Sequence, residues 1–488
     1  LIAIVLAAHF VPPERSAVSP DSLATLQQVR ELGLGELLRS VATAPNRPLL
    51  HALFALHATW TWDAPWRGVL LLAGMAMAVS LLAHALFREL LRNEDLAFTA
   101  AVTYALLPNK LELFHTGMYA VSMVMHVTLI GAALLFLRAL RRGSRVELIA
   151  SLLAYAAGCF ITEGGVFLPL ALLGWATALR LPRIRWLGWF AVPLLIVLAT
   201  YLAAVYQAPA IGGQRTIQWA RIPYNAFVAA PQFFAGRFMA RAVLYGLTQF
   251  WRMETPWIAL ALCLDAALFV AAYKWISRTR MPVSSRPLLY ASAAATVVLL
   301  IPNILYFVED RHLALPDLGF AIVLLPVIAI LARKPAAAAA GLVLSMVVAQ
   351  GNAWNHVVAC RINGAMQHTL NERSGEVAAA RVVLFDLASF TDRIPYTWGE
   401  RAHNPLAAYY GAQVFAPWGL SAAVRLAGGR GRVVASPTPV ERMGGEWEFT
   451  EWRSTPSRQR APADATLVIG YADVYRCGFS DGKRGPCP

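Results

Sequence analysis

Residues 118 to 161 read MYAVSMVMHVTLIGAALLFLRALRRGSRVELIASLLAYAAGCFI. Two apolar stretches, 118–137 and 146–161, enclose a short connection carrying Arg138, Arg141, Arg142 and Arg145. Each stretch is close to the length a helix needs to cross the ~30 Å hydrocarbon layer of a bilayer. A short, arginine-dense turn between two such stretches is what the cytoplasmic side of a membrane protein retains. A helix, a cytoplasmic turn and a returning helix are therefore expected here.

The pattern extends in both directions. Further apolar spans are read near 66–87, 96–113, 165–180, 186–206, 256–275, 288–308, 316–332 and 336–350. The run Leu1 to Val11 is too short to span by itself and reads as the end of a first helix, with a cleaved signal peptide as the lesser alternative. The total is about eleven spans. Arg88 and Arg92, Arg180, Arg183 and Arg185, Lys274, Arg278, Arg280 and Arg286, and Arg333 with Lys334 occupy every second connection, so all fall on one side. The other side receives a loop at 12–65, turns at 108–117, 162–164 and 309–315, a loop at 207–255 and the tail 351–488. Ionisable residues are expected at these outer turns rather than mid-span.

Composition agrees. The 488 residues are 58% hydrophobic and 14% charged, with a mean hydropathy of +0.52; soluble domains carry about 25% charged residues. The net charge of +14 is spread over short clusters between apolar spans, with no nucleic-acid-binding face or motif, so no nucleic-acid partner is expected. Five cysteines form no CxxC pair and no zinc spacing. The expected architecture is an all-α polytopic membrane domain over 1–350, followed by a small extracytoplasmic α/β domain over 351–488. In the tail, Arg381 to Asp386 and Ala465 to Gly470 read as buried strands. Cys477 and Cys487 would be bonded in an oxidising compartment. Within the first loop, Leu23 to Val41 and Pro48 to Trp60 show helical spacing and read as helices lying on the membrane surface, roofing a cavity.

Charged groups held at a membrane edge are costly, which makes those in the outer turns candidates for chemistry. Asp21 is either a general base or metal ligand, or a helix cap before Leu23. Lys110, Glu112 and His115 share one turn, and Glu112 and His115, three apart, would share a helix face and suit one metal ion or a hydrogen-bonded pair. Glu163 stands between two spans beside Gly164 and Gly165. Arg311, in Glu309-Asp310-Arg311-His312, has the planar fork that matches a phosphate, or it pairs with the adjacent acids. In the second loop Arg221 and other arginines alternate with Trp219, Tyr224, Phe233, Phe234 and Trp251, as an anionic-headgroup site or an aromatic belt would. Trp398, Tyr409, Tyr410 and Trp418 of the tail are core residues or a glycan-binding surface.

The order of these segments resembles the GT-C superfamily of integral membrane glycosyltransferases, in the branch of protein O-mannosyltransferases and their bacterial relatives. The likeness runs from Asp21 through Asn46-Arg47-Pro48-Leu49, Ala105 to Glu112 and Ile161-Thr162-Glu163. It ends on Glu309-Asp310-Arg311-His312-Leu313-Ala314-Leu315-Pro316-Asp317-Leu318-Gly319-Phe320, and covers about 1–335. The resemblance implies an inverting transfer of sugar from a polyprenyl-phosphate donor to an extracytoplasmic glycan, lipid or protein acceptor, in the bacterial inner membrane. It implies Asp21 as the base and Arg311, with Lys110 or Arg221, on the donor phosphate. Glu112, His115, Glu163, Arg47 and His312 would contact sugar or acceptor, and relatives differ in their need for a divalent metal. The chain departs from the branch in having a single acid at Asp21 and no tetratricopeptide tail. A polyprenyl-pyrophosphate-dependent ligase or polymerase and a lipid or glycan transporter are the competing readings.

Overall fold

A computed structural model describes residues 1–9, 20–43, 48–61, 64–109, 111–115, 120–207, 219–278, 285–305, 313–391, 396–398, 407–409, 412–413, 417–451, 457–475, 479–480 and 483–484. The helices of the amino-terminal part are α1 (Ile2–His9), α2 (Pro20–Leu32), α3 (Leu34–Thr43), α4 (Pro48–Thr61), α5 (Pro65–Leu91), α6 (Glu94–Leu106) and α7 (Leu111–His115). They continue with α8 (Ala120–Arg142), α9 (Arg145–Ile161), α10 (Leu168–Ala178), α11 (Ala191–Gln207), α12 (Ile222–Tyr224), α13 (Ala230–Ala235) and α14 (Arg237–Phe250). Then come α15 (Thr255–Arg278), α16 (Arg286–Leu305), α17 (Pro316–Leu331) and α18 (Pro335–Glu372). Among the described residues five helices, α5, α8, α15, α16 and α18, are long and apolar enough to cross a membrane, while α10, α17 and the segment Ile184–Thr200 are apolar but shorter.

The turn between α8 and α9 shows how local sequence builds the body. Gly143 takes φ +73°, a conformation that costs other residues a Cβ clash, and ends α8. Ser144 then caps α9, its Oγ accepting the N–H of Glu147 at 3.2 Å, in the Ser-x-x-Glu pattern of a capping box. The helical spacing read over 23–41 forms two helices, α2 and α3, broken at Gly33. The span expected over 96–113 ends as a helix at Leu106, and its 13 residues extend only about 20 Å. The boundary drawn at residue 350 falls inside α18, whose 38 residues run about 57 Å, nearly twice the hydrocarbon thickness. The strongly apolar half of α18 hid its continuation, because the polar residues that follow it are buried against other elements instead of breaking the helix.

The arginine clusters meet at one end of the helical body. Glu89 of α5 accepts from Arg138 at 3.2 Å and from Arg141 of α8, Arg88 pairs with Glu94 at 2.8 Å, and Arg183 donates to the Leu140 carbonyl at 3.1 Å. Phe98 of α6 packs edge-on against Trp275 of α15, with centroids 5.2 Å apart. At the crossing of α14 and α18 a Cβ on Gly351 would lie 1.9 Å from the Gly246 carbonyl oxygen, so the two backbones touch where small residues permit it.

The carboxy-terminal part holds α19 (Ser374–Ala379), β1 (Val382–Asp386), α20 (Ala388–Thr391), β2 (Tyr396–Trp398), β3 (Ala407–Tyr409), β4 (Ala412–Gln413) and α21 (Pro417–Leu426). It continues with β5 (Arg432–Ser436), β6 (Glu441–Met443), β7 (Glu446–Glu451), β8 (Ser457–Pro462), β9 (Thr466–Ile469), α22 (Tyr471–Tyr475), β10 (Phe479–Ser480) and β11 (Lys483–Arg484). Strand β1 lies between β5 and β9, parallel to both, with Val382 opposite Arg432 and Thr466. Alternate residues of β1 serve opposite faces. Val383 and Phe385 join a core with α18 and α21, whereas Leu384 packs with Val434, Phe449 and Ala461 beneath the β6-β7-β8 meander. Both expected strands form, and burial on both faces explains their unbroken apolar reading. The core under β1 also takes in Leu23 of α2, so the first loop and the tail share one hydrophobic interior.

Candidate functional site

At the end of the body opposite the arginine clusters, three sets of contacts join segments that are distant in sequence. The first is a buried pair: Asn109 Nδ2 donates to Asp317 Oδ1 at 2.8 Å, and both residues are nearly inaccessible. Asn109 closes the turn after α6, immediately before Lys110, and Asp317 opens α17, a few residues after Arg311 and His312. Lys110, Arg311, His312 and Arg47 themselves lie outside the described residues. The Asn109–Asp317 contact joins the turn that leads into Lys110 to the start of the helix that follows Arg311 and His312.

The second set is a chain of imidazoles. His9, the last residue of α1, places Nε2 2.9 Å from the Ala105 carbonyl and Nδ1 2.9 Å from His115 Nε2. A carbonyl only accepts, so neutral His9 carries its proton on Nε2 and accepts at Nδ1 from His115. His115 then has a bare Nδ1, which is buried and has no hydrogen-bond partner among the described residues. The ring of His356 in α18 stands 5.2 Å from that of His115, centroid to centroid. Burial, followed by the charges His9 and His356 would carry, holds the His115 pKa well below its usual 6.5. The described partners of His115 are thus other histidines. Among the described residues no group of three or more His, Cys, Asp or Glu has the arrangement of a metal site.

The third set joins α2 to the same turn of α18. Leu23 packs in a cluster with Trp354, Val357 and Val358, adjacent to His356 in sequence. The guanidinium of Arg361 lies 4.9 Å over the Trp354 ring and 3.0 Å from Glu254 at the start of α15. Asp21 belongs to α2, which begins at Pro20. The side chains of Asp21, Glu112 and Glu163 lie outside the described part; their backbones belong to α2, α7 and a short turn at Glu163–Gly165.

The segment carrying Arg221 approaches as well. Asn225 Nδ2 donates to the Ile304 carbonyl at 2.9 Å, and Ala230 and Phe233 pack with Leu300 and Leu313. Arg221 itself is exposed. Trp219, Tyr224 and Trp251 are exposed, whereas Phe233 stacks on Phe238 and Phe234 packs on Phe320, so the aromatic residues of this loop divide between surface and core. Cys477, Cys487 and Tyr410 lie outside the described residues, as do the side chains of Trp398, Tyr409 and Trp418.

Sequence reasoning missed His9, His356, Arg361, Asp317 as the partner of Asn109, and Asp265. The last departs from the expectation that ionisable residues avoid mid-span. Asp265 is buried in the middle of α15, where its Oδ1 accepts from Gln350 at 3.1 Å. A lone acid in Ile258-Ala-Leu-Ala-Leu-Cys-Leu-Asp265-Ala-Ala-Leu-Phe-Val is a signal by itself, since an intramembrane carboxylate needs a partner. No family model, curated protein or solved structure matches this chain.

Proposed function

We propose that this chain is an inverting membrane glycosyltransferase with a GT-C arrangement of about eleven spans. It would take a sugar from a polyprenyl-phosphate donor and pass it to a glycan, lipid or protein acceptor on the extracytoplasmic side of a bacterial inner membrane. The single observation that carries the reading is the buried Asn109–Asp317 contact. It ties the turn leading into Lys110 and Glu112 to the segment that follows Arg311 and His312, the two stretches that bear most of the resemblance. The convergence of arginine clusters at the opposite end supports the orientation, because short cytoplasmic turns retain arginine and lysine.

In this reading the acceptor hydroxyl oxygen attacks the sugar C1, the bond from C1 to phosphate oxygen breaks, and the polyprenyl phosphate leaves with the electron pair. Asp21 takes the hydroxyl proton. Arg311, with Lys110 or Arg221, neutralises the departing phosphate, the largest electrostatic demand of the step. Glu112, Glu163, His312 and Arg47 contact the sugar or the acceptor, and the bare Nδ1 of His115 accepts from one of their hydroxyls.

The test is a panel of polyprenyl-phosphate sugars presented to purified protein in lipid, with donor consumption and product followed by mass spectrometry. Transfer from one donor is expected. Asp21→Asn should retain fold and donor binding while lowering transfer at least a hundredfold, the usual contribution of a general base, and Arg311→Ala should weaken donor binding. Undiminished transfer by Asp21→Asn removes the base assignment. Consumption of pyrophosphate-linked donors alone would favour a ligase, and lipid flux without transfer would favour a transporter.

A further inference from the structure

An apolar groove of about 280 Å³ runs between α1, α15 and α18, lined by Leu6, Trp257, Ala261, Leu264, Gln350 and Trp354 among others. Leu260 and Leu264 on its rim are 46% and 41% exposed, so it opens on the outer surface of the helical body, where lipid chains lie. Two side chains in its wall are more than nine-tenths buried and incompletely satisfied. Trp354 Nε1, a donor, and Gln350 Oε1, an acceptor, have no partner among the described residues. The amide nitrogen of Gln350 is committed to Asp265 Oδ1 at 3.1 Å and the Ala7 carbonyl at 3.3 Å, which leaves Oε1 as the free end.

Residues 350 and 354 are one helical turn apart and share a face. A donor and an acceptor one turn apart on one helix face, in apolar surroundings, suit a single hydroxyl that accepts from the indole and donates to the amide oxygen. Gln350 and Trp354 lie about 22 and 28 Å along α18 from Pro335, and a hydrocarbon layer is ~30 Å thick. With Pro335 at one edge of the hydrocarbon layer, Trp354 would stand near the other edge, where the glycerol of a lipid meets its chains. Arg361, the cation above Trp354, is paired with Glu254 at 3.0 Å, and among the described residues the groove lining carries no charged side chain for a phosphate.

We propose that this groove is a binding site for a neutral lipid alcohol of the diacylglycerol class, one acyl chain lying along α1 and α15 and the free hydroxyl held between Trp354 and Gln350. The proposal does not depend on the glycosyl-transfer reading.

The test exposes delipidated full-length protein to vesicles containing diacylglycerol, phosphatidylglycerol and polyprenyl phosphate in equal amounts, then measures retained lipid by native mass spectrometry. One diacylglycerol per chain is expected. Trp354→Phe, which keeps shape but loses the N–H, and Gln350→Leu should each lower retention about tenfold, as loss of one buried hydrogen bond implies. Ala261→Phe, which fills the groove, should abolish it. Equal retention of diacylglycerol by wild type and all three variants, or its displacement by either phosphorylated lipid, overturns the proposal. Donor consumption is not part of this readout, so its failure and a failure of lipid retention are told apart.

Discussion

Asn109 and Asp317 are 208 positions apart, yet their side chains meet at 2.8 Å with almost no access to solvent. A buried carboxylate without its donor is costly, so the pair pins the turn after α6 to the start of α17 more firmly than a surface contact would. Asp317→Ala should lower stability by about 1–3 kcal/mol, the cost of leaving a buried polar group unsatisfied, read as the unfolding midpoint in detergent. His115 makes the complementary prediction for pH. Its folded form favours the neutral ring, while in the unfolded chain it takes up a proton near 6.5. The unfolded state therefore binds more protons below that pH, so the stability His115 confers is complete above 6.5 and declines as pH falls beneath it. Unfolding followed at pH 7.5 and pH 5.5 should show a smaller loss in His115→Asn than in wild type; an identical loss would mean that His115 does not titrate differently on folding.

At the scale of elements, α2 and α18 matter most. Leu23 is 1% exposed and contributes to a core shared with α18, α21, β1 and β9. Leu23→Ala should cost about 2–5 kcal/mol, the range for a buried leucine truncated to alanine, and should raise hydrogen exchange in α2 and α21 together. Faster exchange confined to α2 would show that the two helices do not stabilise one another. The helices α2, α3 and α4 were legible because apolar residues recur at helical spacing, and β1 and β9 because short apolar runs sit between turn residues. The continuation of α18 was not legible. Its second half mixes Asn352, Asn355, His356, Arg361 and Asn363 with apolar residues, a composition that reads as loop. All five are buried by other elements, including α14 through Asn352 and α7 through His356.

For the whole molecule, the contacts of Glu89, Arg138, Arg141 and Arg183 show that charge clusters separated along the chain share one end. If that end is cytoplasmic, Arg145→Cys should react with an impermeant thiol reagent only in inverted vesicles, and Ser374→Cys only in right-side-out ones. Labelling of both from the same side would overturn the arrangement.

The apolar runs and their arginine-rich connections determined the membrane class, the grouping of ends and the α/β character of the tail, because these follow from local hydropathy, charge and period. Tertiary structure decided which polar groups meet. Asn109 finds Asp317, His115 finds His9, and Asp265 finds Gln350. Side chains brought together by packing between distant helices leave no periodic trace in sequence. Their pairing is dictated by the need to satisfy each polar group removed from water.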